Sequence, residues 1–339
     1  IAPPKAWEKA VPFGWNSWGA LQFNLTYEKA IEVSDYFKEN LQNNHFVNPD
    51  QTVYIGLDSG WDCMNEEQLK SFIEKCKSNG QIGGIYWTPF TDWARDPERT
   101  VDAAPEYKYK DIYLYANGKP QELDGAYAVD PTHPAVEAMM KKTSGLFHRA
   151  GFEYVKMDFM THGAMEADKW YNPEITTGIQ GYNYGMKLLN QYFGDMYINL
   201  SISPVFPAQY AQSRRIACDA WNQIKDTEYT LNALSYGWWQ KYIYQYNDAD
   251  HIVLRDATDG ENRARITSGV ITGIYITGDD FSAGGGKDAK EKSQKYLTNA
   301  AVNAVATGEV FRPVEGNGEK SEHIFVRKTP DGRFHCAVF

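Results

Sequence analysis

The sequence predicts a (β/α)8 barrel followed by the start of a C-terminal antiparallel β domain. Three observations predict it. Short apolar runs alternate with amphipathic helical stretches from the first residues to about residue 303. Eight such runs in this length fit a barrel fold of typically about 250 residues plus insertions. Charged or aromatic residues close nearly every run, and a (β/α)8 enzyme keeps its chemistry at the C-terminal ends of its strands.

The strand-like runs cover residues 12–18, 52–58, 83–87, 154–158, 196–201, 216–221, 252–254 and 273–278. Between the first two, Ala30, Val33, Phe37 and Leu41 recur three and four apart, which puts them on one helical face. Further helical patterns cover 66–78, 134–150, 181–193, 228–244, 263–271 and 289–305. Residues 92–132 are rich in loop-forming types and lengthen the third βα connection, as substrate walls do. Past Thr307 the texture changes. Phe311-Arg312-Pro313 and Gly316-Asn317-Gly318 read as turns, and 323–328 and 333–339 as two strands of a hairpin around Pro330-Asp331-Gly332. The expected division is a catalytic barrel over 1–306 and the first strands of a β-sandwich-like domain over 307–339.

With 339 residues the chain can bury a large core. Its 44 acidic and 34 basic residues give a net charge of −10, and no basic cluster of the kind nucleic acid demands occurs. Aromatic residues make up 14 %, with 10 Trp and 23 Tyr, and ring faces stack on the apolar faces of sugars. No apolar run approaches the roughly 18 residues of a membrane span. Cys63, Cys76, Cys218 and Cys336 form no CxxC pair. A Cys63–Cys76 bridge and two free thiols both stay open. The first residue is Ile1 rather than Met, which reads as a trimmed or processed, exported form.

Two runs carry the chemistry. In 154–158, Lys156 and Asp158 are two apart and share a face of a strand; Arg215 and Asp219, four apart, do so in the second run. As barrel strands, both runs would bring carboxylates and cations together at one end. Two carboxylates, one ionised nucleophile and one proton donor, are what glycoside cleavage needs. Taken alone, a Lys-x-Asp at a strand end is an ordinary surface pair.

The motifs also resemble a known group. Gly14-Trp15-Asn16-Ser17-Trp18, Leu57-Asp58-Ser59-Gly60-Trp61, Lys156-Met157-Asp158, Arg215-x-x-x-Asp219 and Asn247-Asp248-Ala249-Asp250 look like the α-galactosidase clan. That clan comprises glycoside hydrolase families 27 and 36, with melibiases and α-N-acetylgalactosaminidases among them. The resemblance implies a retaining double displacement with Asp158 as nucleophile and Asp219 as acid/base. It places Asp58, Lys156, Arg215 and Asp250 on sugar hydroxyls, with Trp15, Trp61, Tyr86 and Trp87 as ring faces or walls. No cofactor and no metal is implied, and the partner is a carbohydrate. Two departures stand out. Ser59 replaces the second of two adjacent acids that hold the 4- and 6-hydroxyls of galactose, which opens β-L-arabinopyranose, a sugar without a 6-hydroxyl. Ser201 lies in Asn199-Leu200-Ser201-Ile202-Ser203, which replaces the residues that sense the 2-substituent.

The competing readings use the same residues. Asp58, Asp158, His162, Asp219 and His251 are metal-ligand types, but no HxH or HExxH spacing occurs and Lys156 and Arg215 would crowd a cation. A transglycosidase would use the same aspartates with a sugar acceptor, and a non-catalytic sugar-binding barrel would have no need of both acids.

Overall fold

A computed structural model describes residues 2–314 and 322–339; the turn expected at Gly316-Asn317-Gly318 lies outside the described residues. Eight parallel strands close into a barrel: β1 Phe13–Asn16, β2 Val53–Gly56, β3 Gln81–Trp87, β4 Tyr154–Met157, β5 Tyr197–Leu200, β6 Ser213–Arg215, β7 Tyr246–Asp248 and β8 Gly273–Thr277. They follow one another around the ring in chain order, with β1 paired to β8. The ring leaves no free edge.

Helices pack outside it: α1 Tyr27–Tyr36, α2 Glu66–Ser78, α3 Pro134–Ala150, α4 Gly178–Phe193, α5 Ile224–Gly237, α6 Asp259–Thr272, α7 Lys287–Tyr296 and α8 Ala300–Val305. Their limits follow local chemistry. Asn65 and Gln68 form a reciprocal capping box at the start of α2. α3 starts with His133 as cap and Pro134 at its first position, and stops where Gly151 turns left-handed at φ 96°. The apolar faces, such as Leu69, Phe72, Ile73 and Cys76 of α2, are buried against the strands.

Two strands fall elsewhere than the apolar runs indicate. The sixth is Ser213–Arg215 rather than 216–221, and the seventh is Tyr246–Asp248 rather than 252–254. Both short strands are buried yet polar: Ser213, Arg215, Asn247 and Asp248 all lie inside. An apolar signal cannot find such strands. Ile252 still touches the barrel, through a single parallel bridge to Thr277.

The long third connection is ordered by short antiparallel pairs, Thr91–Asp92 with Ala126–Ala128 among them. Asp92 anchors it, accepting from the Tyr113 hydroxyl at 2.5 Å and pairing with Arg99. At the C-terminal end, β9 Arg312–Pro313, β10 Ile324–Lys328 and β11 Phe334–Val338 form a three-stranded antiparallel sheet. The expected turn at Phe311-Arg312-Pro313 is therefore partly strand. Gly332, at φ 88°, makes the hairpin turn. Phe325 and Ala337 face each other across β10 and β11 and pack with Leu231 and Leu234 of α5 and Ile271 of α6. No described helix is long and apolar enough to cross a membrane. All four cysteines are free, and the Cys63 thiol donates to the Leu25 carbonyl at 3.3 Å.

Candidate active site

Register places the key side chains. Tyr86 of β3 stands beside Lys156 of β4, and Lys156 stands beside Asn199 of β5. Side chains alternate along a strand, so Lys156 and Asp158, just past the end of β4, share the inner face. The ends of β1 to β5 and the loop after β6 then open into a cleft of about 650 Å³. Asp58, Ser59, Trp61, Tyr86, Trp87, Lys156, Asp158 and Asp219 line it.

The floor is a tight charge cluster. Lys156 donates to Asp58 Oδ2 at 2.8 Å, and Asn16 Nδ2 donates to the same oxygen at 2.6 Å. The Ser59 amide covers Asp58 Oδ1 at 2.8 Å, and Ser17 Oγ accepts from the Asp58 amide at 2.9 Å. Asp58 is thus the direct partner of Lys156, not Asp158. Burial alone would lower the Lys156 ammonium; Asp58 and then Asp158 outweigh it and push the group above its ordinary value. Asp158 accepts from the Phe159 amide at 2.7 Å through Oδ1. Phe159 itself is left-handed at φ 53°, an unusual state for an aromatic residue, so the backbone is bent immediately behind the carboxylate. The Tyr86 phenol stays protonated, raised by burial and then by the charge of Asp158.

The second carboxylate is held differently. Asp219 sits in a loop beyond β6, its side chain 47 % exposed. Arg215 Nη2 donates to Asp219 Oδ1 at 2.6 Å while Nη1 lies 3.0 Å from Asp250 Oδ1. Asp250 Oδ2 takes the Ala220 amide at 2.8 Å, so the same carboxylate pins the chain next to Asp219. Burial pushes Asp250 up, but Arg215 and then His251 outweigh it and hold the carboxyl well below its ordinary range. Arg215 likewise keeps its charge: burial opposes it, and Asp250, Asp248 and Asp219 more than compensate. Below lies a polar layer in which Asn199 Nδ2 donates to Asp248 Oδ2 at 2.6 Å and Asn199 Oδ1 accepts from Ser213 Oγ at 2.8 Å.

Some expected residues stand back from the cleft. Trp15 is buried, and its indole donates to the Asp279 carbonyl at 2.8 Å, so its ring faces the core rather than a sugar. Ser201 is buried, its amide spent on the Met157 carbonyl. Arg215 and Asp250 do not line the cleft; Arg215 pairs with Asp219, and Asp250 holds Arg215 and the Ala220 amide next to Asp219. Trp18, Phe23, Trp93, Phe159 and Ile202 line the cleft without having been singled out. Trp18 was legible inside the Gly14–Trp18 motif and Ile202 inside the Asn199–Ser203 segment; Phe23, Trp93 and Phe159 carry no sequence signal. His162 is wedged between the Phe159 and Leu123 carbonyls at 3.0 and 2.8 Å. Among the described residues, no group of three or more His, Cys, Asp or Glu is disposed to hold a metal ion.

No protein-family model matches the chain. It is similar to TtGalA, an α-galactosidase from Thermus thermophilus solved with p-nitrophenyl α-D-galactopyranoside. The TM-score is 0.67 at 17 % identity, over 99 % of this chain and 67 % of that one. Against a GH27 β-L-arabinopyranosidase from Geobacillus stearothermophilus the TM-score is 0.72 at 17 % identity, covering 97 % and 83 %. Against the Saccharomyces cerevisiae α-galactosidase it is 0.63 at 15 % identity, covering 100 % and 75 %. At these identities the shared property is the fold: a (β/α)8 barrel with an antiparallel sheet after it, common to this chain and to those glycoside hydrolases.

Proposed function

We propose that the chain is a retaining exo-glycosidase acting on terminal α-galactosides or the closely related β-L-arabinopyranosides. The observation that carries this reading is the cleft itself. Asp158 is buried at its floor beside a cation, and Asp219 is half-exposed at its wall on an arginine tether. Asp158 attacks the anomeric carbon while Asp219 protonates the departing oxygen. Asp219 then takes a proton from water, which hydrolyses the glycosyl-aspartate. Lys156 and Asp58 grip sugar hydroxyls, and Tyr86 and Trp87 supply walls. No metal or cofactor enters the scheme. Residues 307–339 are read as a β domain apart from the barrel, with a three-stranded antiparallel sheet among its described residues.

The glycone turns on Ser59. Asp58 already serves Lys156, Asn16 and the Ser59 amide, and Ser59 adds no second carboxylate to the cleft. A galactose 6-hydroxyl therefore loses its usual acceptor, which favours β-L-arabinopyranose as the second reading. Hydrolysis of nitrophenyl α-galactoside, α-N-acetylgalactosaminide, β-L-arabinopyranoside and α-glucoside by wild type and Asp158→Ala tests this. Activity on the first or third, abolished in the variant, is expected. Undiminished activity in Asp158→Ala would overturn the mechanism.

A further inference from the structure

We propose that Asp226 and Arg265, joined by one bound water, form a second clamp that positions the Asp219 loop from behind. The inference rests on the glycosidase reading above and adds two positioning residues to its acid/base step.

In the first clamp Arg215 lies 3.0 Å from Asp250 Oδ1, and Asp250 Oδ2 takes the Ala220 amide at 2.8 Å. The next amide along the chain is held the same way. Trp221 N donates to Asp226 Oδ2 at 2.8 Å, so the two peptide units after Asp219 each end on a buried carboxylate. An acid in the first turn of a helix is commonplace, because it suits the positive end of the helix dipole. Such an acid normally faces water. Asp226, the third residue of α5, is instead 8 % exposed and turned back onto the loop that precedes its helix.

Arg265 supplies the second cation. It lies on α6, is 4 % exposed, and donates through Nη1 to the Val253 carbonyl at 2.9 Å. That bond ties it to the segment that follows Asp250. Its Nε and Nη2 have no hydrogen-bond partner among the described residues. A buried guanidinium with two idle N–H groups is costly unless something accepts from them. Burial pushes the group below its ordinary value, and the charges of Glu261 and then Asp226 oppose that. Asp226 is thus near enough for its charge to be felt without touching either idle N–H.

Both residues line one small cavity of about 20 Å³, together with Trp221, Thr230, His251 and Ser268. That volume admits about one water, which stays where roughly two to four polar partners meet it. The idle Arg265 N–H groups donate to its oxygen, and it donates in turn to the Asp226 carboxylate. An anion fits worse, because Asp226 and Asp250 both present carboxylates to this space. The Trp221 ring packs edge-on against His251 at 6.2 Å, so this residue is anchored by side chain as well as backbone.

The beneficiary is Asp219. Its side chain is half in solvent and held by one Arg215 N–H, so its aim depends on where the backbone stands. A reacting group misplaced by about 1 Å costs on the order of 100-fold in rate.

The test assays Asp226→Ala, Arg265→Met and the double variant on two substrates with one terminal sugar, the methyl glycoside and the dinitrophenyl glycoside. A poor leaving group needs the proton and an activated one does not. Each single variant is expected to lose about 10- to 100-fold in kcat/KM on the methyl glycoside and less than about threefold on the other. The double variant should lose no more than the worse single one, because the pair acts as a unit. Equal losses on both substrates, or losses that simply multiply, would overturn the proposal. Hydrogen–deuterium exchange over residues 216–223 reads the clamp without turnover. It should quicken at least about tenfold in both single variants while the barrel strands stay protected. Unchanged exchange would sink the clamp even with the glycosidase reading intact. Quickened exchange in a protein that cleaves no glycoside would sink that reading and leave the clamp standing. Asp226→Asn keeps an oxygen for the Trp221 amide and should hold exchange near the wild-type rate; exchange as fast as in Asp226→Ala would rule that bond out. A high-resolution crystal structure should show one water between Arg265 and Asp226, and an ion or nothing there would overturn the bridge.

Discussion

The two halves of the cleft hold their carboxylates in opposite ways. On the β1–β4 side, Asp58, Lys156 and Asp158 are buried on or directly after strands, fixed by short bonds to Asn16 and to backbone amides. On the β6–β7 side, Asp219 rides on a loop, half in solvent, tethered among the described residues by one Arg215 N–H. The difference matches two chemical jobs. A nucleophile has to stay ionised, dry and aimed within a fraction of an ångström. A proton carrier has to meet first a leaving oxygen and then water, so exposure serves it.

Breaking the rigid side should have the largest effect. Asp158→Ala is expected to lower kcat by at least about 10⁴-fold, as removal of a covalent nucleophile does elsewhere. An external nucleophile such as azide should restore part of the turnover; a loss below about tenfold would remove Asp158 from the covalent step. On the exposed side, Asp219→Asn should cost about 10²- to 10⁴-fold on poor leaving groups and far less on activated aryl glycosides. Equal losses on both leaving groups would mean that Asp219 does not carry the proton.

The comparison sharpens in stability measurements. Lys156→Met strands the buried Asp58 carboxylate and should destabilise the fold by about 3–5 kcal/mol in urea unfolding. A cost under about 1 kcal/mol, the range of surface pairs, would mean the floor is far wetter than its burial indicates. Asp250 gives the smallest effect and a sign that can be checked. Its carboxyl lies below the unfolded value of about 3.9, so it favours folding above that pH and loses this contribution as pH falls through the folded value. Wild type should therefore weaken with acid below about pH 4, and Asp250→Asn should flatten that limb. An unchanged acid limb would remove Asp250 from the acid response.

How much of this was legible follows the same division. The strands ending at Asn16, Gly56, Trp87, Met157, Leu200 and Thr277 show as apolar runs because their walls pack on helices. Helix α2 was readable to its ends because its capping box is local. The sixth and seventh strands were hidden, since their inner positions carry Arg215 and Asp248 for the site rather than hydrophobes for the core. Asp58, Lys156, Asp158 and Asp219 were legible from spacing and motif. The Lys156–Asp58 bond was not, because the partners are 98 residues apart. Trp15 misled for a related reason. Two tryptophans share one motif, and only packing decides that Trp15 turns inward while Trp18 reaches the cleft. Phe23, Trp93 and Ile202 sit in loops whose paths no periodicity encodes.

The central claim is that Asp158 forms a covalent bond to the sugar. A slow fluorinated glycosyl fluoride of the preferred sugar, followed by peptide mass spectrometry, addresses it directly. The account predicts one sugar per chain, on the peptide containing Asp158, and none in Asp158→Ala. An adduct on another residue, or continued turnover with no adduct while the reagent is consumed, would contradict it.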